Sequence, residues 1–283
     1  MELKLTAQRA GRLSSFLKGE LKMSTGLMNK LKWGDAIQVN AQPQHTDFAV
    51  QMGDVITVRL DEPVPEYPAQ QGELTVLYED DHILAVDKPA GMLIHPSRSQ
   101  FTDTLANFVL GYYQRSGQNS AFHPVTRLDR DTFGVVLLAK NSHIHSLLQE
   151  TDLQKTYHAL TFGGPQADSG TIDAPIARRP LPSLLRYVGP EGKPSVTEFA
   201  VLHRGEVCKL ALRPITGRTH QLRLHCCYMG FPILGDPQYH SEESKAFSDA
   251  RGLTYQMLCA HSITFCHPMT GEMLTICSKM DVN

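Results

Sequence analysis

Residues 126–134 read TRLDRDTFG, and in this run the acid Asp129 lies between Arg127 and Arg130. A second dense polar run, GRTHQLRLH, occupies residues 217–225. A cation fixed beside a carboxylate stabilises its ionised form, and an ionised carboxylate can act as a nucleophile. The two runs therefore predict an active site in which Asp129 works beside an anionic substrate.

The bulk composition is that of an ordinary globular protein. The chain has 283 residues, of which 41% are hydrophobic and 20% are charged, so it can form one large domain or a large and a small one. The formal net charge of −2 excludes a generic polycation. A protein of this charge that binds nucleic acid must do so through a local basic patch.

The cysteines and the N-terminal residues predict a cytoplasmic protein. All six cysteines lie in the last third of the chain, and none belongs to a Cys-x-x-Cys pair. In the absence of a secretory signal, such cysteines indicate thiols in a reducing compartment. Residues 1–18 lack the apolar segment of a signal peptide, and the longest aliphatic run, residues 135–139, is too short to span a bilayer.

Positive charge is concentrated at the start of the chain, where the first 32 residues hold seven Lys/Arg against two acids. Residues 12–17 and 27–31 indicate two short helices, and residues 36–39, 50 and 54–58 indicate strands. These basic residues form either a solvated helix surface or an RNA-binding patch. The candidate patch residues are Arg9, Arg12, Lys18, Lys22, Lys30 and Lys32.

A proline-rich stretch divides the chain. Residues 61–68 contain three prolines and predict an extended linker. We therefore expect a small domain at 1–62, a linker at 63–71 and a larger domain at 72–283.

The larger part mixes strands with helices. A helix at residues 105–112 would be capped by Thr102 or Asp103, and further helices would begin near Asn141 and at Thr219. Because strands outnumber helices and do not alternate strictly with them, we expect an α+β fold with a mixed, largely antiparallel sheet. The predicted strands lie at residues 74–78, 83–87, 134–139, 155–162, 196–202 and 207–213.

The thirteen histidines suggest a metal site, but their spacing argues against one. On a helix His220 and His225 would lie about 140° apart around the axis, and His143 and His145 about 200° apart. Neither pair can close on one ion, so we expect no metal site. A metal-dependent hydrolase is the alternative that this spacing disfavours.

Five ordered motifs resemble those of the RluA-type pseudouridine synthases, which convert uridine in RNA into its carbon-linked isomer. This likeness spans nearly all of residues 72–283, and residues 10–60 resemble the alpha-L RNA-binding motif shared by a ribosomal protein and many RNA-modifying enzymes. The five motifs are TRLDRDTFG at 126–134, GRTHQLRLH at 217–225, LAVDKPAGMLIHP at 84–96, KTYHA at 155–159 and FCHPMTGE at 265–272.

The resemblance implies a reaction and the residues that perform it. A carbon–nitrogen bond breaks and a carbon–carbon bond forms without a redox step, so no cofactor is expected. Asp129 would be the catalytic carboxylate, Arg223 its ion partner and Tyr157 the ring that stacks on the flipped uracil. Arg127 would place the substrate, and Arg130 would be a solvated charge. Without the resemblance, the favoured interpretation of Asp129 is a structural acid paired with Arg127 or Arg130, and that of Tyr157 is a core residue.

The same resemblance adds substrate-binding candidates and a partner. Arg218 and the amides at the start of the helix would favour phosphate, and Leu258 would form an apolar wall of the uracil pocket. Structured ribosomal RNA is the expected substrate ahead of transfer RNA, and the protein is expected to be a monomer. The candidates are Arg218, Thr219, His220, Gln221 and Leu258.

Three positions depart from the family pattern. Asp87 replaces an asparagine, Thr126 replaces the histidine before Arg-Leu-Asp, and Phe133 replaces a small residue before Gly134. Thr126 and Phe133 lie on the loop that carries Asp129. They therefore bear on the position of its carboxylate, on the reaction rate and on the target sequence. Phe133 also favours an alternative, a non-catalytic RNA-binding or assembly protein on the same fold, which the retained Asp129 opposes.

Overall fold

The computed structural model describes residues 2–60, 67–118, 120–180, 183 and 185–283. The expected domain end at residue 62 and the first residues of the expected linker at 63–71 lie outside these described residues. Within them, no helix is both long and apolar enough to cross a membrane. All six cysteines are free thiols, in keeping with the sequence-based expectation.

The first part of the chain forms short elements around its own sheet. Strands β1, β6, β3 and β4 form an antiparallel sheet in that order, and β2 pairs with β5. Both predicted helices are present. Strand β1 was not predicted from the sequence, because it is held by pairing with the distant β6. The elements are β1 (Glu2–Thr6), β2 (Gly11–Arg12), α1 (Leu13–Gly19), α2 (Thr25–Leu31), β3 (Ile37–Val39), β4 (Gln42–Pro43), β5 (Ala49–Val50) and β6 (Val55–Arg59).

Helix α1 anchors a separate hydrophobic core in this part. Leu13, Phe16 and Leu17 are spaced so that they share one helix face, and all three are buried against Ile37 and Ile56 of the sheet. Burial of apolar surface of this kind is the main force that stabilises a small fold. This core contains only residues that precede position 61.

In the described part of the chain, polar contacts of His143 and Lys22 join this part to the rest of the protein. The Nε2 of His143 lies 2.9 Å from the carbonyl oxygen of Leu21. Burial lowers the pKa of His143, so its neutral ring donates this hydrogen bond. The ammonium of Lys22 donates to the carbonyl oxygen of Pro268.

The remaining residues form a ten-stranded sheet with helices on both faces. Its main path is β12-β15-β16-β11-β17-β10-β8-β7, with β18 beside β17 and β9 beside β10. Among the described strands of this sheet, β10 and β17 run parallel and the other pairs are antiparallel. The predicted α+β fold with a mixed, largely antiparallel sheet is therefore confirmed. The elements are β7 (Thr75–Glu79), β8 (Ile83–Lys88), α3 (Leu105–Arg115), β9 (His123–Pro124), β10 (Phe133–Ala139), α4 (Ser142–Glu150), β11 (Gln154–Phe162), β12 (Ser169–Asp173), β13 (Ile176–Arg178), β14 (Arg186–Val188), β15 (Val196–His203), β16 (Val207–Pro214), α5 (Gln221–Tyr228), α6 (Glu242–Ala250), β17 (Leu258–Cys266) and β18 (Met273–Cys277).

Strand β10 lies at the centre of the sheet and is buried along its whole length. Its alternate side chains face opposite sides, so Val136 packs in the cluster of helix α3 and Leu137 in the cluster of helix α4. A run of apolar residues without alternation is typical of a strand covered on both faces. The loop that precedes this strand therefore leads directly into a fully buried strand.

Two predicted helix starts were wrong. Helix α3 begins after Thr104 rather than after Thr102 or Asp103, because Asn107 Oδ1 accepts both the backbone N–H and the hydroxyl of Thr104. Helix α5 begins at Gln221, so Thr219 lies in the preceding loop.

Candidate active site

A cleft of about 1050 Å³ opens beside the large sheet. Residues 122–129 form one wall and residues 214–223 form another, so the two polar runs of the sequence meet here. Every predicted catalytic and substrate-binding residue outside the N-terminal patch lines this cleft. They are Asp129, Tyr157, Arg223, Arg127, Arg218, Thr219, His220, Gln221 and Leu258.

Asp129 forms an ion pair with Arg223 across the cleft wall. Arg223 Nη1 donates to Asp129 Oδ2 over 3.0 Å. The Asp129 side chain retains 32% of its exposure, whereas that of Arg223 retains 5%. The cation thus holds the carboxylate from the protein side and leaves it accessible to a molecule in the cleft.

A second carboxylate, Asp236, fixes the position of Arg223. The Nε and Nη2 atoms of Arg223 donate to the two carboxylate oxygens of Asp236, each over 2.7 Å, and Nη2 also donates to Gln238 Oε1 over 3.0 Å. Burial lowers the pKa of Arg223, but Asp236 and then Asp129 outweigh burial and raise the pKa overall. A bidentate pair of this kind restricts the guanidinium plane, so the bond to Asp129 has a fixed direction.

His220 contributes a neutral imidazole next to Asp129. The Tyr239 hydroxyl accepts the backbone N–H of Arg186 and lies 3.0 Å from His220 Nδ1, to which it can donate its own proton. Burial lowers the pKa of His220 although Asp129 opposes this shift. When the Tyr239 hydroxyl donates to Nδ1, the single N–H proton of the neutral ring is on Nε2. This atom lies 3.9 Å from Asp129 Oδ2.

Lys88 holds the loop of Asp129 from inside the protein. Its fully buried ammonium donates to the carbonyl oxygens of Pro89, Met92 and Arg130 over 2.9, 2.8 and 2.8 Å. Burial lowers the pKa of Lys88 to about 8, and nearby acidic charges oppose the shift. The lysine thus ties the turn after β8 to the loop that carries the carboxylate.

Gly134 ends this loop where β10 meets β17. Its φ is +111°, and a Cβ at this position would lie 2.3 Å from the carbonyl oxygen of Ala260. Both the backbone angle and the close approach require glycine. Just before it, Thr132 Oγ1 accepts a hydrogen bond from Gln256 Nε2 over 3.1 Å, which ties the loop to the residues before β17.

Tyr157 and Leu258 form an apolar wall in the cleft. Tyr157 is paired with Ala260 in the sheet and packs against the hydrophobic cluster to which Leu222 and the buried Leu258 belong. Burial raises the pKa of Tyr157, and the charge of Asp129 adds to the shift, so the phenol stays protonated. A ring and an aliphatic side chain in one wall suit a flat, uncharged base.

The two arginines that flank Asp129 point in different directions. Arg127 lines the cleft and is exposed. The side chain of Arg130 turns away, donates from Nε to the carbonyl oxygen of Gly91 over 3.1 Å and lies near Asp131. Arg127 thus lies on the cleft side with Asp129, whereas Arg130 does not line the cleft.

The loop before α5 differs from its prediction. Thr219 is not the helix cap, because His220 occupies that position with a left-handed φ of 58° and without a side-chain cap bond. Gln221 is buried and its amide is engaged inside the protein, with Nε2 donating to Val196 O and Oε1 accepting from the backbone of Arg218. Gln221 therefore braces the loop, whereas Arg218 and Thr219 present exposed side chains to the cleft.

The departures from the family pattern have structural roles. Thr126 Oγ1 accepts the backbone N–H of Leu137 over 2.9 Å, which fastens the cleft wall to β10. Phe133 is buried in a cluster with Cys259 and Val282 and does not line the cleft. Asp87 accepts hydrogen bonds near the C-terminus, from the Ser278 hydroxyl and from the next backbone N–H.

Sequence reasoning missed Asp236, Gln238 and Tyr239, although all three position Arg223 or His220. The three residues lie in the run LGDPQY at 234–239, and its Gly-Asp-Pro sequence is typical of a turn. A buried aspartate next to a turn is a weak signal, and only the tertiary structure shows its arginine partner.

The metal argument from helical spacing also overlooked one cluster. Among the described residues, ligand atoms of His158, His261 and Asp281 lie within 4.8 Å of one another. The Lys209 ammonium lies 2.8 Å from Asp281 Oδ2 and already supplies a positive charge there. His158 follows Tyr157 in β11, so this cluster lies on the face of the sheet opposite to the cleft.

The cleft thus combines a carboxylate, a fixed cation, a neutral imidazole and an apolar wall. These groups can hold a planar base while a carboxylate attacks or stabilises an electron-poor carbon beside it. The exposed Arg127 and Arg218 give the mouth of the cleft a positive charge that suits a phosphate backbone.

Comparisons with known proteins agree with this chemistry. A family model described as RNA pseudouridylate synthase matches residues 82–228. Ribosomal large subunit pseudouridine synthase C of Escherichia coli (strain K12) is 33% identical over 98% of this chain and 92% of that protein. The Bacillus subtilis (strain 168) protein named uncharacterized RNA pseudouridine synthase YjbO is 34% identical over 90% of each chain.

A solved structure gives the same result at the level of the fold. Human RNA pseudouridylate synthase domain containing 1 superposes with a TM-score of 0.60 and 26% identity, over 75% of this chain and 86% of that chain. The family match covers more than half of the chain, and relatives above 30% identity cover most of it. The chain therefore belongs to the RluA-type RNA pseudouridine synthases, which are isomerases that modify uridine in RNA.

Proposed function

We propose that Asp129 is the catalytic carboxylate of this enzyme and that its substrate is uridine in structured ribosomal RNA. The observation that carries the proposal is the ion pair of Asp129 with Arg223, whose own position is fixed by the fully buried Asp236. A carboxylate that is paired with a fixed cation and lies beside an apolar wall is placed to act on a base or on its sugar.

Binding of the base and cleavage of its bond to the sugar each have a group in the cleft. The uridine leaves its stack and its base lies on Tyr157, with Leu258 as the second apolar contact. Asp129 attacks the sugar or the base, or stabilises the sugar cation, while the bond between C1′ and N1 breaks. The base rotates and C5 bonds to C1′. The C5 proton is lost and N1 gains one, so the product is an isomer of the substrate.

The N-terminal part is proposed as an RNA-binding domain at residues 1–62, joined by a linker at 63–71 to a catalytic domain at 72–283. Of its candidate patch, Arg9 is paired with Glu20, Lys22 contacts Pro268, and the half-buried Lys32 lies over the Trp33 ring. Arg12, Lys18 and Lys30 are the exposed cations that remain open to RNA. Relatives named as ribosomal large subunit pseudouridine synthases support ribosomal RNA as the substrate. We further propose a monomer that acts in the cytoplasm.

The test is a map of pseudouridine in RNA from cells that lack the protein, complemented with wild type or with variants. We expect at least one ribosomal site to be lost, and to return with wild type but not with Asp129→Asn. Asp131→Asn is the matched control, because Asp131 lies two residues away and does not line the cleft. The proposal fails if no site is lost, or if Asp129→Asn restores the site fully. A lost site in transfer RNA would instead correct the substrate.

A further inference from the structure

The cleft is larger than one flipped uridine requires. Its volume of about 1050 Å³ lies at the upper limit of the 300–1,000 Å³ typical of pockets for whole small ligands. Residues 123–129 run back along β10, since His123 pairs with Ala139 and the N–H of Val125 donates to the carbonyl of Leu137. The His123 end therefore lies several residues of strand away from Asp129, at about 3.3 Å per residue.

Lys155 lies between the two ends of the cleft. It is two residues from Tyr157 on β11, so both side chains face the cleft, and both line it. In the sheet, Lys155 pairs with Ile263 and Tyr157 pairs with Ala260. Lys155 therefore lies farther along β11, away from the apolar wall of Tyr157 and Leu258.

Lys155 is a partly buried cation, and within the described part of the chain its ammonium has no protein partner. Among the described residues, no carboxylate or carbonyl oxygen lies in hydrogen-bond or ion-pair contact with the Lys155 ammonium. Burial lowers the pKa of Lys155, and no neighbouring acid offsets the shift. A buried cation normally has a counter-charge, so the missing partner points to an anion supplied by the substrate.

The far end of the cleft presents aromatic rings. The rings of His123 and His145 lie 5.9 Å apart, and those of His95 and Phe122 lie 5.2 Å apart in an edge-on contact. Burial lowers the pKa of His95 and of His145, so these two imidazoles are neutral at pH 7. Neutral rings of this kind can stack on a nucleobase whatever its sequence.

We propose that this end is a second subsite, which binds the nucleotide next to the target uridine. Lys155 binds the phosphate between the two nucleotides, and the rings of His123 and His145 contact the neighbouring base. The inference rests on the proposed function, because it assumes that the target base lies on Tyr157. In the Lys-x-Tyr motif, Lys155 then binds the phosphate and Tyr157 binds the target base.

The test compares two probes, uridine and the dinucleotide UpU, which differ by one phosphate and one nucleoside. Their binding to the full-length protein is measured by NMR titration at several salt concentrations. We expect wild type to bind UpU at least about tenfold tighter than uridine, because UpU adds one charge-assisted contact and one stacked base. UpU binding that is no tighter than uridine binding, undetectable binding included, overturns the proposal.

Lys155→Met retains the apolar stem and removes the charge. We expect it to abolish most of the preference for UpU, to leave uridine binding unchanged and to lower the slope of log affinity against log salt by about 0.7. Lys155→Arg should keep the preference. Lys279→Met is the matched control. Lys279 is an exposed lysine, and its backbone N–H donates to Asp87. Equal loss for both probes, or no loss for either, overturns the role of Lys155.

His145→Ala is a second, independent variant. It should weaken UpU and spare uridine, and it should leave the salt slope unchanged because it removes a ring and no charge. An unchanged UpU affinity overturns the contact with the neighbouring base. Failure of the subsite is distinct from failure of the proposed function, because the latter is judged by the pseudouridine map with Asp129→Asn.

Discussion

Arg223 is the residue on which the geometry of the site depends most, because its guanidinium bonds to two carboxylates and an amide at once. Asp236 accepts from two of the five N–H groups of Arg223 and fixes the guanidinium plane, so the Nη1 donor points at Asp129 in one direction only. The pair with Asp236 is buried, whereas Asp129 faces the cleft. Asp236, the inner acid, therefore positions Arg223, and Asp129, the outer acid, remains available for the chemistry.

Replacement of the inner acid tests this division. Asp236→Asn keeps the shape and removes the charge, which leaves Arg223 buried beside a single, partly exposed carboxylate. We expect the free energy of unfolding to fall by about 3 kcal/mol, because a buried charge has lost its partner. We also expect kcat for pseudouridine formation to fall while KM for RNA changes little, since Asp236 does not contact the substrate.

Asp249→Asn is the control for this prediction. Asp249 forms an exposed pair with Lys245 on α6, and such pairs contribute about 1 kcal/mol or less. Urea unfolding and steady-state rates would be measured for both variants. Equal behaviour of the two variants would show that the inner pair does not position Arg223.

At the scale of elements, the periodicity of the sequence predicted most strands and helices but not where the loops place their polar groups. Strand β10 and helix α4 follow from an apolar run and from Asn141, whose side chain caps the helix. The start of α5 was predicted two residues early, because a threonine is a good local cap and only the tertiary bonds of Gln221 decide otherwise. Asp236 was missed for the same reason, since its partner lies on another element.

The junction of β10 with β17 gives a prediction at this scale. Gly134→Ala would place a methyl group 2.3 Å from the carbonyl oxygen of Ala260 at a φ of +111°, so the two parallel strands must separate. We expect the free energy of unfolding to fall by about 2–5 kcal/mol. The fall should be accompanied by loss of activity, because the loop of Asp129 ends at this glycine.

Gly34→Ala serves as the comparison, because no atom lies within 4 Å of the added Cβ and its φ is not positive. It should change the free energy of unfolding by less than about 1 kcal/mol. Thermal and urea unfolding of both variants would decide the matter. A Gly134→Ala protein as stable as Gly34→Ala would contradict the account of this junction.

For the molecule as a whole, a formal net charge of −2 is combined with cations placed where RNA would lie. Arg127, Lys155 and Arg218 line the cleft, and exposed cations of the N-terminal part lie elsewhere on the surface. Contacts from Lys22 and His143 link the two parts. The family and the reaction could be inferred from ordered motifs, whereas the target RNA could not, because its recognition depends on surface shape that no motif records.

The central claim is that the Asp129 carboxylate performs the chemistry. Since C5 of uridine loses its proton, RNA labelled with tritium at C5 releases tritium to water when pseudouridine forms. The most direct measurement is this release in a single turnover, with ribosomal RNA from cells that lack the protein. We expect Asp129→Asn to slow the release by about 10³-fold or more with RNA affinity unchanged, and Asp131→Asn to retain the wild-type rate. Release by Asp129→Asn at a rate close to that of wild type would contradict the claim.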